Sequence, residues 1–191
     1  HRAFLAALVY GLGTVAFPYS KALFQHQVSA LGAFVGFYLL WRVVREGAAP
    51  WRLWAAGLLF SLAAVSEYPV VLFLAMILAW AWLEASDRWA LQRVVWGALP
   101  LLLLFAAYNM AIFETPFPLG YRYHVEYQGV HARGFMGISH PTWEGLYGIT
   151  LSPYRGLFFL SPVLALALPG LVLLWRDRGE RRTVVLLAAI M

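Results

Sequence analysis

The chain has 191 residues, 62% of them hydrophobic and 12% charged, against roughly 45–50% apolar and 25% charged in an ordinary soluble domain; a water-soluble core of this size cannot hide so much apolar side chain. The formal net charge is +5, but thirteen of the fourteen basic residues are Arg scattered among apolar runs, which argues against the clustered basic face of a nucleic-acid binder. With no Cys, a disulfide, a thiolate nucleophile and a thiolate metal site are all excluded.

A hydrocarbon layer about 30 Å thick takes about 20 apolar residues in a helix rising 1.5 Å per residue. On that ruler the predicted fold is all-α, a single polytopic transmembrane domain over 1–191 with about six to seven membrane segments. Residues 3–17 form a first, shortened crossing that ends at Pro18-Tyr19-Ser20-Lys21. Residues 22–41 make a full span. Residues 53–83 are too long for one straight crossing and are interrupted by Ser66-Glu67-Tyr68-Pro69; proline removes a backbone donor and disfavours helix in the residue before it. Two short helices, 53–65 and 70–83, therefore form a broken hairpin that enters and leaves on one side. Spans at 94–113 and 157–175 follow, with a last run at 183–191. Both termini fall inside apolar runs, so the chain is expected to be the central to C-terminal part of a longer protein. Gly32 and Gly36 make a small-xxx-small pair suited to close helix packing.

With the hairpin, the loops 42–52, 84–93 and 176–182 share one face and carry three, two and four Arg. The positive-inside rule makes that face cytoplasmic, as in a multi-pass protein of a cell membrane, expected to be the bacterial inner membrane. The long connection 114–156 then lies outside. It holds eight aromatics among forty-three residues, too many for a disordered linker, and is expected to pack on the outer membrane face.

Ionisable groups within membrane segments mark a pathway or a site by default. His26, between Gln25 and Gln27, reads as a hydrogen-bond donor to a phosphate or a proton carrier, or as a structural hydrogen-bond partner facing other helices or interfacial water. Glu67, at the hairpin break, must be solvated, paired or protonated; Lys21 or an outer-loop Arg is the expected partner, and capping of the freed amides the structural alternative. In the outer loop, His124, Glu126 and His131 are suitable ligands for a divalent cation, but their spacing matches no tight metal motif. Arg155 stands where the chain re-enters the membrane, placed to grip a lipid-linked phosphate in two-pronged fashion or to anchor at headgroups.

These elements together resemble the GT-C superfamily of membrane glycosyltransferases, which includes protein mannosyltransferases and aminoarabinose transferases. Ala56-Gly57-Leu58 through Ser66-Glu67-Tyr68-Pro69 is similar to their short-helix pair, which often reads G-L-A-x-L-T-K-G-P, with Glu67 and Tyr68 standing where that pattern has Lys and Gly. Tyr108-Asn109, with Phe113-Glu114-Thr115-Pro116-Phe117 and Gly120-Tyr121, resembles a Y-N-x-x-x-F-G-S-P-x-x-x-G-Y run in bacterial relatives. Ser152-Pro153-Tyr154-Arg155-Gly156-Leu157 with Ser161-Pro162 is similar to S-P-G-R-G-L-x-x-x-S-P.

The resemblance implies transfer of a sugar from a polyprenyl-phosphate-linked donor to an acceptor at the outer membrane face. It implies a catalytic carboxylate in a first outer loop, upstream of His1. Substrate-binding residues would be Arg155, Tyr154, Arg122, Tyr121, His26, Glu67 and Lys21, with the cations stabilising the departing phosphate. Membrane lipids are the other expected partner; no cofactor is assigned, the divalent cation considered above being the one candidate. The readings from other classes are an ion-coupled transporter or flippase, in which a broken helix with an acid couples an ion, and a noncatalytic membrane scaffold.

Overall fold

Apolar runs broken by Pro, Gly and charged residues become helices that stop at those breaks. In the computed structural model the described residues are 1–22, 24–118, 140 and 142–190, the side chain of Arg2 excepted. They form α1 (Arg2–Gly13), α2 (Ala16–Tyr19), α3 (His26–Glu46), α4 (Trp51–Ser66), α5 (Val70–Glu84), a 3-10 turn (Trp89–Leu91) leading into α6 (Gln92–Phe113), α7 (Trp143–Thr150), α8 (Leu157–Leu160), a 3-10 stretch (Pro162–Leu166), α9 (Ala167–Trp175) and α10 (Arg181–Ile190). There is no strand among the described residues.

Two helices are long and apolar enough to cross a membrane, His26–Glu46 and Trp89–Phe113; Ala3–Gly13, Trp51–Ser66, Val70–Glu84 and Pro162–Trp175 are apolar but shorter. The apolar surface of these helices is largely uncovered: Phe34, Leu72, Leu104 and Val172 are all exposed. A helix apolar all round belongs in a hydrophobic surrounding.

The chain divides into two compact units. One comprises Ala16–Phe105 and Leu166–Met191, the other His1–Val15 and Ala106–Ala165.

In the first unit α3 and α4 pack closely through small residues. On α3, Ser29, Gly32, Gly36 and Leu40 are buried and recur on one face. A Cβ on Gly32 would stand 2.7 Å from the Leu59 carbonyl oxygen, and one on Gly36 would stand 2.6 Å from the Phe60 ring. The Ser29 hydroxyl donates to the Ala63 carbonyl at 3.3 Å. Glycines 32 and 36 thus bring the backbones together as the small-residue spacing requires. A second crossing joins α4 to α6: Gly57 lies against the Val94 carbonyl and Gly97 against the Trp54 carbonyl, each too close to admit a Cβ. α5 buries Leu74, Ile77, Trp80 and Ala81, and the Trp80 ring meets Phe37 of α3 edge-on at 5.5 Å.

Helix ends depart from the sequence-based expectation: the run expected as one crossing at 3–17 is interrupted at Thr14 and Val15 into α1 and α2, and α2 continues through Pro18. The span expected at 22–41 lies at 26–46, so Arg42, Arg45 and Glu46 are helical rather than loop. Arg42 donates to the Tyr38 hydroxyl at 2.9 Å and pairs with Glu46, both at i,i±4 spacing that extends the helix. Gly47 then ends it, left-handed at φ 63°, its N–H donating to the Arg42 carbonyl.

In the second unit, α1 leads to Thr14 and Val15. The Val15 N–H donates to the Ser161 hydroxyl at 3.0 Å, and Ser161 is fully buried. The span expected at 157–175 is not one helix. It is cut at Ser161-Pro162 into α8, a 3-10 stretch and α9, because Pro162 supplies no N–H to continue the ladder. Within the connection expected as a loop, residues 143–150 are helical. Thr142 caps α7, its hydroxyl accepting from the Gly145 N–H at 3.0 Å, and Glu144 sits in the positive first turn.

Candidate functional site

The break between α4 and α5 positions Glu67. α4 ends at Ser66, Glu67 is extended at φ −152°, and α5 begins after Pro69. The Glu67 N–H donates to the Ala63 carbonyl at 3.0 Å, and its own carbonyl accepts from the Val70 N–H at 3.2 Å, so the backbone turn closes on itself. The carboxylate is left free to reach across to the first residue of α3, where Glu67 Oε2 lies 3.0 Å from His26 Nδ1. Glu67 thus caps no freed amide of α5 with its side chain; it pairs with imidazole.

An ionised carboxylate only accepts, so Nδ1 carries the proton facing it, and in the neutral ring Nε2 then holds the free lone pair. Both side chains are partly open, His26 at 47% and Glu67 at 28% exposure. The imidazole is flanked by aromatic rings: Phe24 stacks on it at 5.9 Å and Tyr19 meets it edge-on at 5.9 Å. Tyr68, next to Glu67, lies edge-on to Phe105 of α6 at 6.3 Å. A carboxylate that fixes an imidazole's tautomer, with the other nitrogen free, is the arrangement of a proton acceptor or relay.

Lys21 takes no part in this pair. Its ammonium lies over the Phe17 ring at 4.7 Å, and the partner expected for Glu67 at Lys21 is His26 instead. The aromatic ring sits within reach of a short helical turn, and a cation over a ring face is stabilised without a carboxylate.

The opposite end of the same unit holds an ion-pair network that sequence reasoning did not single out. Arg45 of α3 bonds Glu84 at the end of α5 at 2.9 Å and Glu180 before α10 at 2.8 Å, and donates to the Gly179 carbonyl. Arg182 reaches the Leu83 carbonyl at 2.9 Å and Glu84 at 3.3 Å. Three segments far apart in sequence are tied together, as the shared Arg-rich face expects. Only the charge patterning of 42–52, 84–93 and 176–182 hinted at it. His26 and Arg45 stand nineteen positions apart on α3, or ~28 Å along its axis at 1.5 Å per residue.

Arg155 and Tyr154 belong to the other unit. The chain turns here because the Leu151 and Ser152 N–H groups both donate to the Tyr147 carbonyl at 2.9 Å, and the Gly156 N–H to the Ser152 carbonyl at 2.8 Å. A Cβ at Gly156 would stand 2.5 Å from the Ser152 nitrogen, so glycine is required. The turn leaves Arg155 exposed, its guanidinium 5.2 Å from the Tyr154 ring centre. Arg122 and Tyr121, and with them His124, Glu126 and His131, lie outside the described residues. Among the described residues no group of three His, Asp or Glu is placed to hold a metal ion.

No family model, curated protein or solved structure matches the chain.

Proposed function

We propose that this chain is part of a multi-pass membrane glycosyltransferase that moves a sugar from a polyprenyl-phosphate-linked donor to an acceptor at the outer face of a bacterial inner membrane. Two glycine positions of the GT-C-like patterns carry the reading. Glu114 stands where the Y-N-x-x-x-F-G-S-P pattern has Gly, and its backbone is left-handed at φ 56°, the conformation glycine favours. Gly156, retained from S-P-G-R-G-L, sits where no Cβ fits. The backbone thus has a physical reason for glycine at both places, one filled by Glu at a conformational cost.

On this reading α4 and α5, ~24 and ~22 Å long, are the broken pair that dips in and returns. The shorter apolar helices supply the remaining crossings. Arg155, held over Tyr154, takes the donor phosphate in two parallel hydrogen bonds. The test is transfer from radiolabelled polyprenyl-phosphate sugars by the full-length protein in proteoliposomes. Arg155→Ala is expected to weaken donor binding about 10–100-fold, the loss of a hydrogen bond to a charged group. Absence of transfer from any such donor rejects the proposal.

A second reading, an ion-coupled carrier, is favoured by the His26–Glu67 pair at the α4–α5 break, since discontinuous helices with a carboxylate describe such carriers. Two variants separate the readings: Glu67→Gln abolishes proton-linked uptake in a carrier, whereas Arg155→Ala weakens donor binding in the transferase.

A further inference from the structure

The end of the first unit that holds Arg45 is charged out of balance. Nine arginines fall there (42, 45, 52, 88, 93, 176, 178, 181 and 182) against five carboxylates, and each carboxylate is already engaged. Glu46 holds Arg42, and Glu84 and Glu180 hold Arg45 and Arg182. Asp87 accepts from the Ala90 N–H at 3.2 Å and Asp177 from the Gly179 N–H at 2.9 Å. Arg52, Arg88, Arg93, Arg176, Arg178 and Arg181 have no carboxylate partner among the described residues. Three of them instead lie over tryptophan rings: Arg52 over Trp51, Arg88 over Trp82 and Arg181 over Trp175, each at 5.6 Å. All three rings are exposed, at the ends of apolar helices.

We infer that this end is a docking surface for the headgroups of anionic phospholipids, with the unpaired guanidiniums taking phosphate oxygens and the tryptophans sitting at headgroup level. The inference rests on the membrane reading above, though not on sugar transfer. The charge complement is specific to it. A guanidinium fork matches a phosphodiester, indole rings favour the boundary between headgroup and hydrocarbon, and a neutral surface would leave the excess arginines uncompensated. Stacking on Trp holds each guanidinium near the rim of the helix bundle while keeping its outer donors open.

The test uses the full-length protein in nanodiscs of neutral phosphatidylcholine, titrated with phosphatidylglycerol and followed by native mass spectrometry. Bound phosphatidylglycerol is expected in preference to phosphatidylcholine. The quadruple variant Arg52→Gln, Arg88→Gln, Arg176→Gln and Arg178→Gln is expected to lower that preference by at least on the order of tenfold, well below the several hundredfold that about fivefold for each of four arginines near an anionic surface would multiply to, because five arginines remain at this end. Equal retention of both lipids by the unaltered protein overturns the inference, as does a variant that keeps the preference. Competition by inorganic phosphate or polyglutamate at the same concentration as lipid phosphate also overturns it, because the surface then takes any anion. Should the variant unfold, the preference of the unaltered protein is measured against salt: it falls as exposed charges are screened, and indifference to salt overturns the inference. Sugar transfer is assayed separately, so its failure leaves this result standing, whereas release of the protein from membranes by alkaline carbonate removes the basis of both.

Discussion

Gly57 and Gly97 face each other's helices with carbonyl oxygens where side chains would begin. Gly57→Ala forces α4 and α6 apart and is expected to destabilise by about 1–3 kcal/mol, as overpacking does. Gly11→Ala, where nothing lies near, is expected to be neutral or to gain up to about 1 kcal/mol from helix propensity; thermal unfolding of the two variants in detergent distinguishes them. Glu114 holds a left-handed backbone that costs an L side chain roughly 1–2 kcal/mol. Glu114→Gly is expected to raise stability by about 0.5–1 kcal/mol, part of the relief being lost to the freer unfolded chain. Relations of this kind were only partly legible in the sequence. Pro69 announced the break that presents Glu67, but the residue on the other side of the pair stands forty-one positions away, and no local pattern joins them. Lys21, expected with the outer-loop Arg residues as the counter-charge, lies over Phe17 instead. The His26–Glu67 pair is open to water, so Glu67→Gln is expected to cost less than about 1 kcal/mol. Its signature is in the ring: ¹⁵N shifts of His26 are expected to report the Nδ1-protonated tautomer in the parent protein and a mixture in the variant.

At the scale of the helices, Arg45 is where α3, α5 and the turn before α10 meet. Glu84 has only 11% of its side chain exposed, so Arg45→Ala leaves a carboxylate that water reaches poorly with Arg182, 3.3 Å away, as its remaining cationic partner. The expected loss is about 2–3 kcal/mol, discounted from the 3–5 of a fully buried pair. Arg45→Ala and Glu84→Ala together are expected to cost less than their sum, since they share one interaction; a double-mutant cycle by chemical unfolding checks it. Helix existence was legible here because long apolar runs leave few alternatives. Helix ends were less so. Arg42, Arg45 and Glu46 look like loop residues by charge, but the i,i+4 pair of Arg42 with Glu46 and the bonds of Arg45 to Glu84 and Glu180 hold them in a last helical turn. Pro162 is the visible cause of the break in the run 157–175; what no local pattern shows is that the buried Ser161 hydroxyl accepts from the Val15 N–H, 146 positions away.

For the molecule as a whole, the absence of cysteine makes sidedness directly measurable. A single cysteine at Ala49, between α3 and α4, and another at Gln25, before α3, are expected to react with an impermeant maleimide from opposite sides of sealed vesicles. Labelling of both from one side is inconsistent with α3 as a crossing. If α3 crosses a bilayer as proposed above, the ~28 Å between His26 and Arg45 along it bears on where such a protein can reside. The two polar ends suit a hydrocarbon slab close to that depth, near the ~27 Å of thin bilayers. In a slab of about 32–33 Å, either the histidine end is drawn below the headgroups or the surrounding lipids must pinch inward to meet it. Mismatch of that sort would sort the chain toward thinner membranes.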